Sequence, residues 1–309
     1  MSLYVVTGGA GFIGSHLTDA LLAHGHVVRV VDDLSSGHCE NLASRAELVI
    51  GDVADTALMR RALDGAAGVF HLAAIASVAR SNEDWIGTHR TNLTGTVTVL
   101  DAARQAGRIP VVYASSAAIY GDQGEGMIKE DAVPAPSTAY GADKLGSELH
   151  ARVGFGVHGV PSMGFRFFNV FGPRQDPASP YSGVISIFAA RIAKSLPLIL
   201  HGDGQQTRDF VYVDDVVRHL MAGMGVLHAT PRAEVLNVCT GRATSIVELA
   251  QTLARLDGRP LSISFGPARA GDIRASLGNP LRTTTILGVQ ATTTLETGLQ
   301  ATVKALVEV

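Results

Sequence analysis

The stretch "VVTGGAGFIGSHL", residues 5 to 17, restricts what this chain can fold into more than any other. An apolar run, "LYVVT" (residues 3 to 7), leads into it and a helical pattern leads out, so its glycines fall at a strand-to-helix turn. Gly8, Gly11 and Gly14 have GxxGxxG spacing, and Gly9, Gly11 and Gly14 also satisfy GxGxxG. Small residues there permit a tight turn and a close backbone approach, leaving the helix N-terminus open to a pyrophosphate. Asp32 follows Gly14 by eighteen residues, at the end of a second strand, "VVRVVD" (27 to 32). Its carboxylate would accept the hydroxyls of an adenosine ribose and repel a 2′-phosphate, which predicts NAD rather than NADP. Asp52, after the third strand, is the expected adenine-side acid, with Val53 beside it. A glycine turn kept only for packing a helix on a sheet is the plain alternative. The ordered set of strand, glycines, helix and acid argues against it.

Short β-rich runs alternate with longer helical stretches through the first 170 residues. Further candidate strands are "AELVIGD" (46 to 52), "GVFHLAA" (68 to 74), "IPVVYAS" (109 to 115) and "SMGFRFFN" (162 to 169). Continuous apolar character implies burial on both faces, as in a parallel sheet covered by helices. "HLTDALLAHG" and "NLTGTVTVLDAARQAG" read as helices ending at a glycine C-cap. The fold class predicted is α/β, a doubly wound parallel sheet of Rossmann type. After residue 170 the pattern loosens: Pro173, Pro177, Pro180 and Gly183 signal a loop-rich excursion. A strand and helix return in "DFVYVDDVVRHLMAGM", then the strand "VLNVCT", before a small α/β cap. The expectation is therefore two interleaved units. Residues 1–170 and 211–241 would bind the cofactor, and 171–210 with 242–309 would form a smaller substrate domain.

Composition excludes several classes. A net charge of −3 and the lack of a basic run speak against nucleic acid and anionic membrane surfaces. No apolar run approaches the roughly 18 residues of a membrane span, and the N-terminus lacks the pattern of a signal peptide. Cys39 and Cys239 match no metal or disulfide framework, which suits a reducing cytoplasm. The eleven histidines are scattered without HxH or HExxH pairing, so each is read as a surface or satisfied core residue and no metal site is expected.

"AYGADK" (139 to 144) holds one of only four lysines. On a helix, Tyr140 and Lys144 at i and i+4 share a face. Tyrosine, with an ordinary pKa of about 10, is a poor base at neutral pH. A neighbouring ammonium and a nicotinamide cation would both stabilise the phenolate. Upstream, "YASSAAIYG" ends the fifth strand, and carboxyl ends of strands in an open parallel sheet face the ligand crevice. Ser115 and Ser116 should therefore lie near the cofactor, with a serine hydroxyl at the reacting oxygen.

Taken with TGGAGFIG, DDLSSG, HLAA, SSAAIYG, YGADK, FFNVFGPRQDP, GDGQQTRDFVYVDD and RAGDIRAS, the chain resembles the extended short-chain dehydrogenases/reductases over nearly its whole length. Within them it resembles the nucleotide-sugar 4-epimerases of the UDP-glucose and UDP-N-acetylglucosamine type. The resemblance implies that Phe12 and Ile13 meet the pyrophosphate through backbone amides. It implies that Asp32, Asp33, Leu34, Ser35, Ser36 and Gly37 wrap the adenosine ribose. Leu72, Ala73 and Ala74 would line the nicotinamide side, with Thr91 and Asn92 beneath and Phe168 packed on the ring. Ser116 would bond the sugar 4-hydroxyl and Tyr140 take its proton. The 4-keto sugar would then turn and be reduced on its other face, regenerating NAD. Asn169 and Arg208 match diphosphate contacts, Arg269 and Asp272 the pair that holds phosphate and uridine ribose. Arginine suits that task because its planar fork bonds phosphate bidentately. Ser276 falls where galactose-restricted relatives carry a tyrosine, leaving room for an N-acetyl group and implying a UDP-N-acetylhexosamine, or its uronic acid, as substrate, with UDP-glucose and UDP-galactose as further substrates.

The chain departs from the pattern at Asp33, where asparagine is common, at "SLGN" (276 to 279), and at "LGVQA" (287 to 291), which lacks the usual Trp and Pro. Dehydratases and decarboxylases share the first half-reaction but place acidic groups beside the serine, where this chain has Ala117 and Ala118. A non-catalytic NAD-sensing regulator typically loses the tyrosine or lysine. The resemblance also implies a homodimer, through the segment after Asn92 and the helix carrying Tyr140.

Overall fold

A computed structural model describes residues 1–175, 183–267 and 273–307. Its centre is a seven-stranded sheet whose strands we number β1 (Leu3–Thr7), β2 (Val27–Asp32), β3 (Glu47–Ile50), β4 (Gly68–His71), β5 (Val111–Ser116), β6 (Ser162–Phe167) and β7 (Ala233–Val238). They lie in the order β7-β6-β5-β4-β1-β2-β3, and every pairing is parallel. The predicted doubly wound sheet is thus the observed one. Chain direction across the sheet reverses between β1 and β4, the switch point where such sheets open a ligand crevice at their carboxyl edge.

Alternation along each strand feeds two cores. Tyr4 and Val6 of β1 join Leu17, Leu21 and Leu22 of α1 (Phe12–Ala23) on one face. The helix Val213–Ala229, which follows the short strand Phe210–Tyr212, adds Val216, Leu220, Met224 and Leu227 to that face. Val5 instead joins Met59 of α2 (Thr56–Ala62) and Val99 and Ala103 of the helix Gly95–Gln105 on the other. Successive strand residues point to opposite faces, so a strand covered on both sides must be apolar throughout.

The later chain crosses back and forth. β7 comes from residues 233–238, after the excursion, yet it pairs with β6 over six residues from Ala233↔Ser162 to Val238↔Phe167. A third core forms around Phe171, Phe188, Leu198, Phe210 and Leu249. The helix Leu281–Leu287, within the stretch expected to cap the substrate side, packs Ile286 and Leu287 against the first core instead. A small sheet joins Met127–Ile128, Ala275–Gly278, Thr207–Arg208 and Thr244–Ser245. It ties the segment that follows β5 to the strand carrying Ser276. Pro177 and Pro180 of the expected loop-rich stretch lie outside the described residues. No described helix is long and apolar enough to cross a membrane.

Candidate active site

The glycine turn is dictated by space. Gly8 has φ +70°, and a Cβ on it would stand 2.6 Å from the Ala73 backbone nitrogen. A Cβ on Gly14 would stand 2.1 Å from the Gly8 carbonyl oxygen. Any side chain would push the turn after β1 away from the chain leaving β4, or lift α1 off the turn. We expect Gly14→Ala to cost roughly 1–3 kcal/mol of overpacking and to weaken NAD binding at least tenfold. Thermal melting and a fluorescence titration with NAD check both, and an unchanged affinity would count against the turn as the cofactor seat.

The amino end of α1 starts at Gly11 with no side-chain cap and no acid in its first turn. Its first amides, including those of Phe12 and Ile13, are thus left for an anion. Asp32, at the end of β2, is buried. Its Oδ2 accepts the Ala10 N–H at 2.9 Å and its Oδ1 accepts the Leu34 N–H at 2.9 Å. Burial raises its carboxyl above the usual range while those two bonds pull it back. Each oxygen keeps acceptor capacity for a further donor. The loop beyond is shaped by Leu34 at φ 59° and by Asp33, which accepts both the Ser35 N–H at 2.9 Å and its hydroxyl at 2.6 Å. Ser36 is exposed and Gly37 packs under the loop against Asp32 and Ala10. Asp52 is engaged by the Ala54 N–H and by Arg90, whose Nη2 is 2.8 Å from Oδ2, and Val53 is buried beneath Gly95.

Leu72, Ala73 and Ala74 leave β4 half-buried. They are held by a run of hydrogen bonds that the sequence did not announce. The Ala73 N–H reaches Thr7 Oγ1 at 3.3 Å, which is 2.8 Å from His71 Nδ1; His71 Nε2 is 3.0 Å from Thr96 Oγ1, whose hydroxyl donates to the Asn92 carbonyl at 2.6 Å. Because Thr96 spends its proton on Asn92, Nε2 donates to it, and a neutral ring then accepts the Thr7 hydroxyl at Nδ1. Burial pushes His71 down to about 3, with Lys144 adding to the effect. The Asn92 side chain pairs with both the N–H and carbonyl of Ile75, at 2.8 and 3.1 Å. Thr91 lies beside it, half-buried in the π-helical turn Arg90–Thr94.

Tyr140 and Lys144 sit on the helix Ala139–His158, capped by Thr138, whose hydroxyl accepts the Gly141 N–H at 3.0 Å. Ser116 ends β5 and caps the short turn Ala117–Ile119. Its hydroxyl accepts the Ala118 N–H at 3.1 Å and lies near enough to Tyr140 to favour the phenolate. Lys144 is buried, with Nζ donating to the Ala114 carbonyl at 2.8 Å and lying 5.8 Å from the centre of the Tyr140 ring. Desolvation lowers Lys144 to about 8, opposed by Asp143. Desolvation raises Tyr140, and the Ser116 bond counteracts it in part. In the protein alone, then, the phenol is held above its ordinary range rather than below it.

Ser115 faces the other way. Its hydroxyl donates to Glu148 at 2.5 Å, and Glu148 is held bidentately by Arg166 at 2.9 and 2.8 Å. Neighbouring strand residues point to opposite sides, so the structure brings Ser116, not the Ser115 hydroxyl, to Tyr140. Phe168 is buried against Tyr120 in a small cluster with Ile119, Ile128 and Cys239. Asn169 is exposed and starts the strand Asn169–Phe171. Arg208 donates through Nη1 to the Thr207 and Ile273 carbonyls, and it lies opposite Ser276 in the parallel register. Arg269 and Asp272 lie outside the described residues.

A Rossmann sheet with this turn, acid and Ser-Tyr-Lys group defines a nicotinamide-dependent enzyme. Residues 4–239 match the model of the NAD dependent epimerase/dehydratase family. The chain is 38% identical over 307 residues to a UDP-glucose 4-epimerase of Mycolicibacterium smegmatis, covering 97% of each. Among solved structures it is similar to the UDP-glucose 4-epimerase of Thermotoga maritima with UDP-glucose, at TM-score 0.93, 35% identity and 99% coverage of both chains. It is similar also to the UDP-N-acetylglucosamine 4-epimerase of Methanobrevibacter ruminantium in complex with UDP-N-acetylmuramic acid, at TM-score 0.94, 31% identity and coverage of 99% and 98%. The chain belongs to this NAD-dependent epimerase family. Its own residues fit the cofactor, since the cradle that a Cβ on Gly8 or Gly14 would fill, the uncapped α1 and the buried Asp32 form one continuous edge.

Proposed function

We propose that the protein interconverts the 4-epimers of a UDP-sugar, with UDP-N-acetylglucosamine and UDP-N-acetylgalactosamine, or their uronic acids, as the preferred pair. The observation that carries this reading is the grouping of the Ser116 hydroxyl with a half-buried Tyr140 that has the buried Lys144 ammonium beside its ring. Ser116 orients the sugar 4-hydroxyl and Tyr140 accepts its proton. Lys144 stabilises the phenolate and offsets the burial that would otherwise keep the phenol protonated. NAD, seated along Gly8, Gly11, Gly14 and Asp32, serves as reversible oxidant at C4. Asn169, Arg208, Arg269 and Asp272 hold the diphosphate and uridine while the sugar turns. Ala117 and Ala118, beside Ser116, offer no acid for elimination or decarboxylation, which favours epimerisation over both.

Substrate breadth follows from Ser276, half-buried and in register with Arg208. A serine leaves space where a tyrosine would fill it. We expect UDP-N-acetylglucosamine to be converted to an equilibrium mixture with its C4 epimer, followed by NMR, and Ser276→Tyr to lose that conversion at least tenfold while still epimerising UDP-glucose. No conversion under conditions that epimerise UDP-glucose would sink the preference. A homodimer is part of the same proposal. Leu149, Val153 and Val157 form an exposed i, i+4, i+8 stripe on the tyrosine-bearing helix, and Val97 is exposed on the helix Gly95–Gln105. Light scattering of the purified protein tests this.

A further inference from the structure

Between the tyrosine and the lysine stands Asp143, a carboxylate only 4% exposed. Its Oδ1 is 2.8 Å from Nδ1 of His89, at the end of the short helix Trp85–His89, and its Oδ2 has no hydrogen-bond partner among the described residues. A buried charge without full hydrogen bonding is costly. Its direct partner, His89, is half exposed, and the next residue in the chain, Lys144, is a second buried charge on which the Asp143 carboxylate acts. That ammonium, 3% exposed, is given the Ala114 carbonyl, a neutral group, at 2.8 Å.

Apart from His89, which pairs with Asp143 when protonated, the other titratable groups around the pair supply no counter-charge. His71, on β4, is neutral and acts against the ammonium. Glu148, one turn along the same helix, is taken up by Arg166 from β6. Arg90, on the turn after His89, is exposed and paired with Asp52. Tyr140 is protonated in the resting protein. Of the described carboxylates packed around Lys144, Asp143 is the one not held by an arginine.

We propose that Asp143, clamped by His89, is a positioning residue that keeps Lys144 in its charged form and so extends the working range of the Tyr140 base toward alkaline pH. The proposal rests on the catalytic reading of Tyr140 and Lys144 given above. Its sign is fixed by the charges. Lys144 works as an ammonium and loses its proton as pH rises, so removing the negative charge beside it must bring that loss to lower pH. Burial has already lowered Lys144 to about 8, with Asp143 opposing, so the loss falls within reach of an ordinary pH profile. His89 contributes an N–H that fixes the carboxylate.

The test compares NAD-loaded wild type with Asp143→Asn, Asp143→Ser and His89→Gln. With only four lysines in the chain, [13Cε]lysine NMR resolves Lys144, identified by the signal missing from Lys144→Met. In Asp143→Asn, the Lys144 midpoint should fall by about one pH unit, and the alkaline limb of kcat should move by the same interval with KM for the UDP-sugar unchanged. His89→Gln, whose amide still donates, should leave midpoint and limb in place. The Ser variant reads the same quantity if the Asn variant does not fold. A Lys144 midpoint equal to wild type in a folded Asp143 variant overturns the proposal, as does a His89→Gln shift as large as that of Asp143→Asn. A midpoint that moves while the alkaline limb stays would instead overturn the catalytic reading of Lys144 and leave the charge coupling intact.

Discussion

Tyr140→Phe should lower kcat by at least 10³-fold while the purified protein still carries NAD. The substitution removes one oxygen and leaves the ring, so the packing around the helix Ala139–His158 is kept and Ser116 loses only its partner. On the proposed mechanism, what disappears is the acceptor for the sugar 4-hydroxyl proton, a role worth about 10²–10⁴-fold. Lys144 cannot replace it as an acceptor while it remains an ammonium. Ser116→Ala should cost less, about 10- to 100-fold, because the serine orients the hydroxyl without accepting its proton in the end. Lys144→Met should combine slow turnover with weaker NAD binding, since the lysine lies beside the tyrosine and is proposed to hold the nicotinamide ribose. The measurements are initial rates by NMR on one UDP-sugar and the NAD released on denaturing each variant. A Tyr140→Phe enzyme keeping more than about a tenth of wild-type turnover would remove the phenol from the chemistry.

The resting geometry sharpens why the tyrosine needs help. Had Lys144 alone prepared the base, the phenol would sit below its ordinary range, yet burial holds it above. Desolvation disfavours the phenolate by the same physics that lowers Lys144, so one apolar pocket opposes charge on both groups. A charged ligand at the carboxyl edge changes that balance, which couples activation of the base to occupation of the site.

The parts of this arrangement that are local in the chain could be read from it. Gly8 is required by its φ of +70° and Gly14 by its contact with the Gly8 carbonyl, both within the turn, and Tyr140 and Lys144 are one helical turn apart, so spacing was sufficient. The two serines show the limit. "SS" at the end of β5 announced a crevice, but the pleat sends Ser116 to Tyr140 and Ser115 to Glu148, and the phase of the pleat is set by neighbouring strands rather than by the pair itself. The small sheet was illegible for another reason: its strands run two to four residues, and Met127–Ile128 meets Leu277–Gly278 from about 150 residues away. Pairing of that kind is decided by where larger elements have already been placed. His89 and Asp143, 54 residues apart, meet for the same reason. His71 carried a signal that went unused. It lies within HLAA at the end of a buried strand, a place where a histidine must be satisfied internally, and reading it as one scattered histidine among eleven missed the chain it completes.

That histidine gives the largest effect expected on stability. In the unfolded chain His71 titrates near 6.5, and in the fold it does so near 3. Between those values the unfolded state binds the proton more readily, so the stabilisation is complete above about pH 6.5 and is lost progressively as pH falls toward 3. The full loss amounts to roughly 5 kcal/mol, a large share of the 5–15 kcal/mol typical of a folded domain. Buried carboxyls act in the opposite direction. Asp32 and Asp209 are raised by desolvation, so they take up protons first in the fold and offset part of the loss. A single pH–stability curve therefore mixes terms of both signs, and a difference between two proteins isolates the histidine. His71→Gln and His71→Asn cannot charge. Each should be less stable than wild type at pH 7, having lost part of the run from Thr7 to Thr96, yet each should show a flatter fall in denaturation free energy from pH 6.5 to 4. The gap to wild type should close by at least 2 kcal/mol across that interval, where full linkage amounts to about 3. Curves that stay parallel through it would mean that the ring is not held neutral. The same titration bears on the active site, because protonating His71 reverses its bond to Thr7, whose Oγ1 also accepts the N–H of Ala73 on the chain leaving β4. NAD affinity measured over this range should fall along with stability in wild type and change less in the two variants.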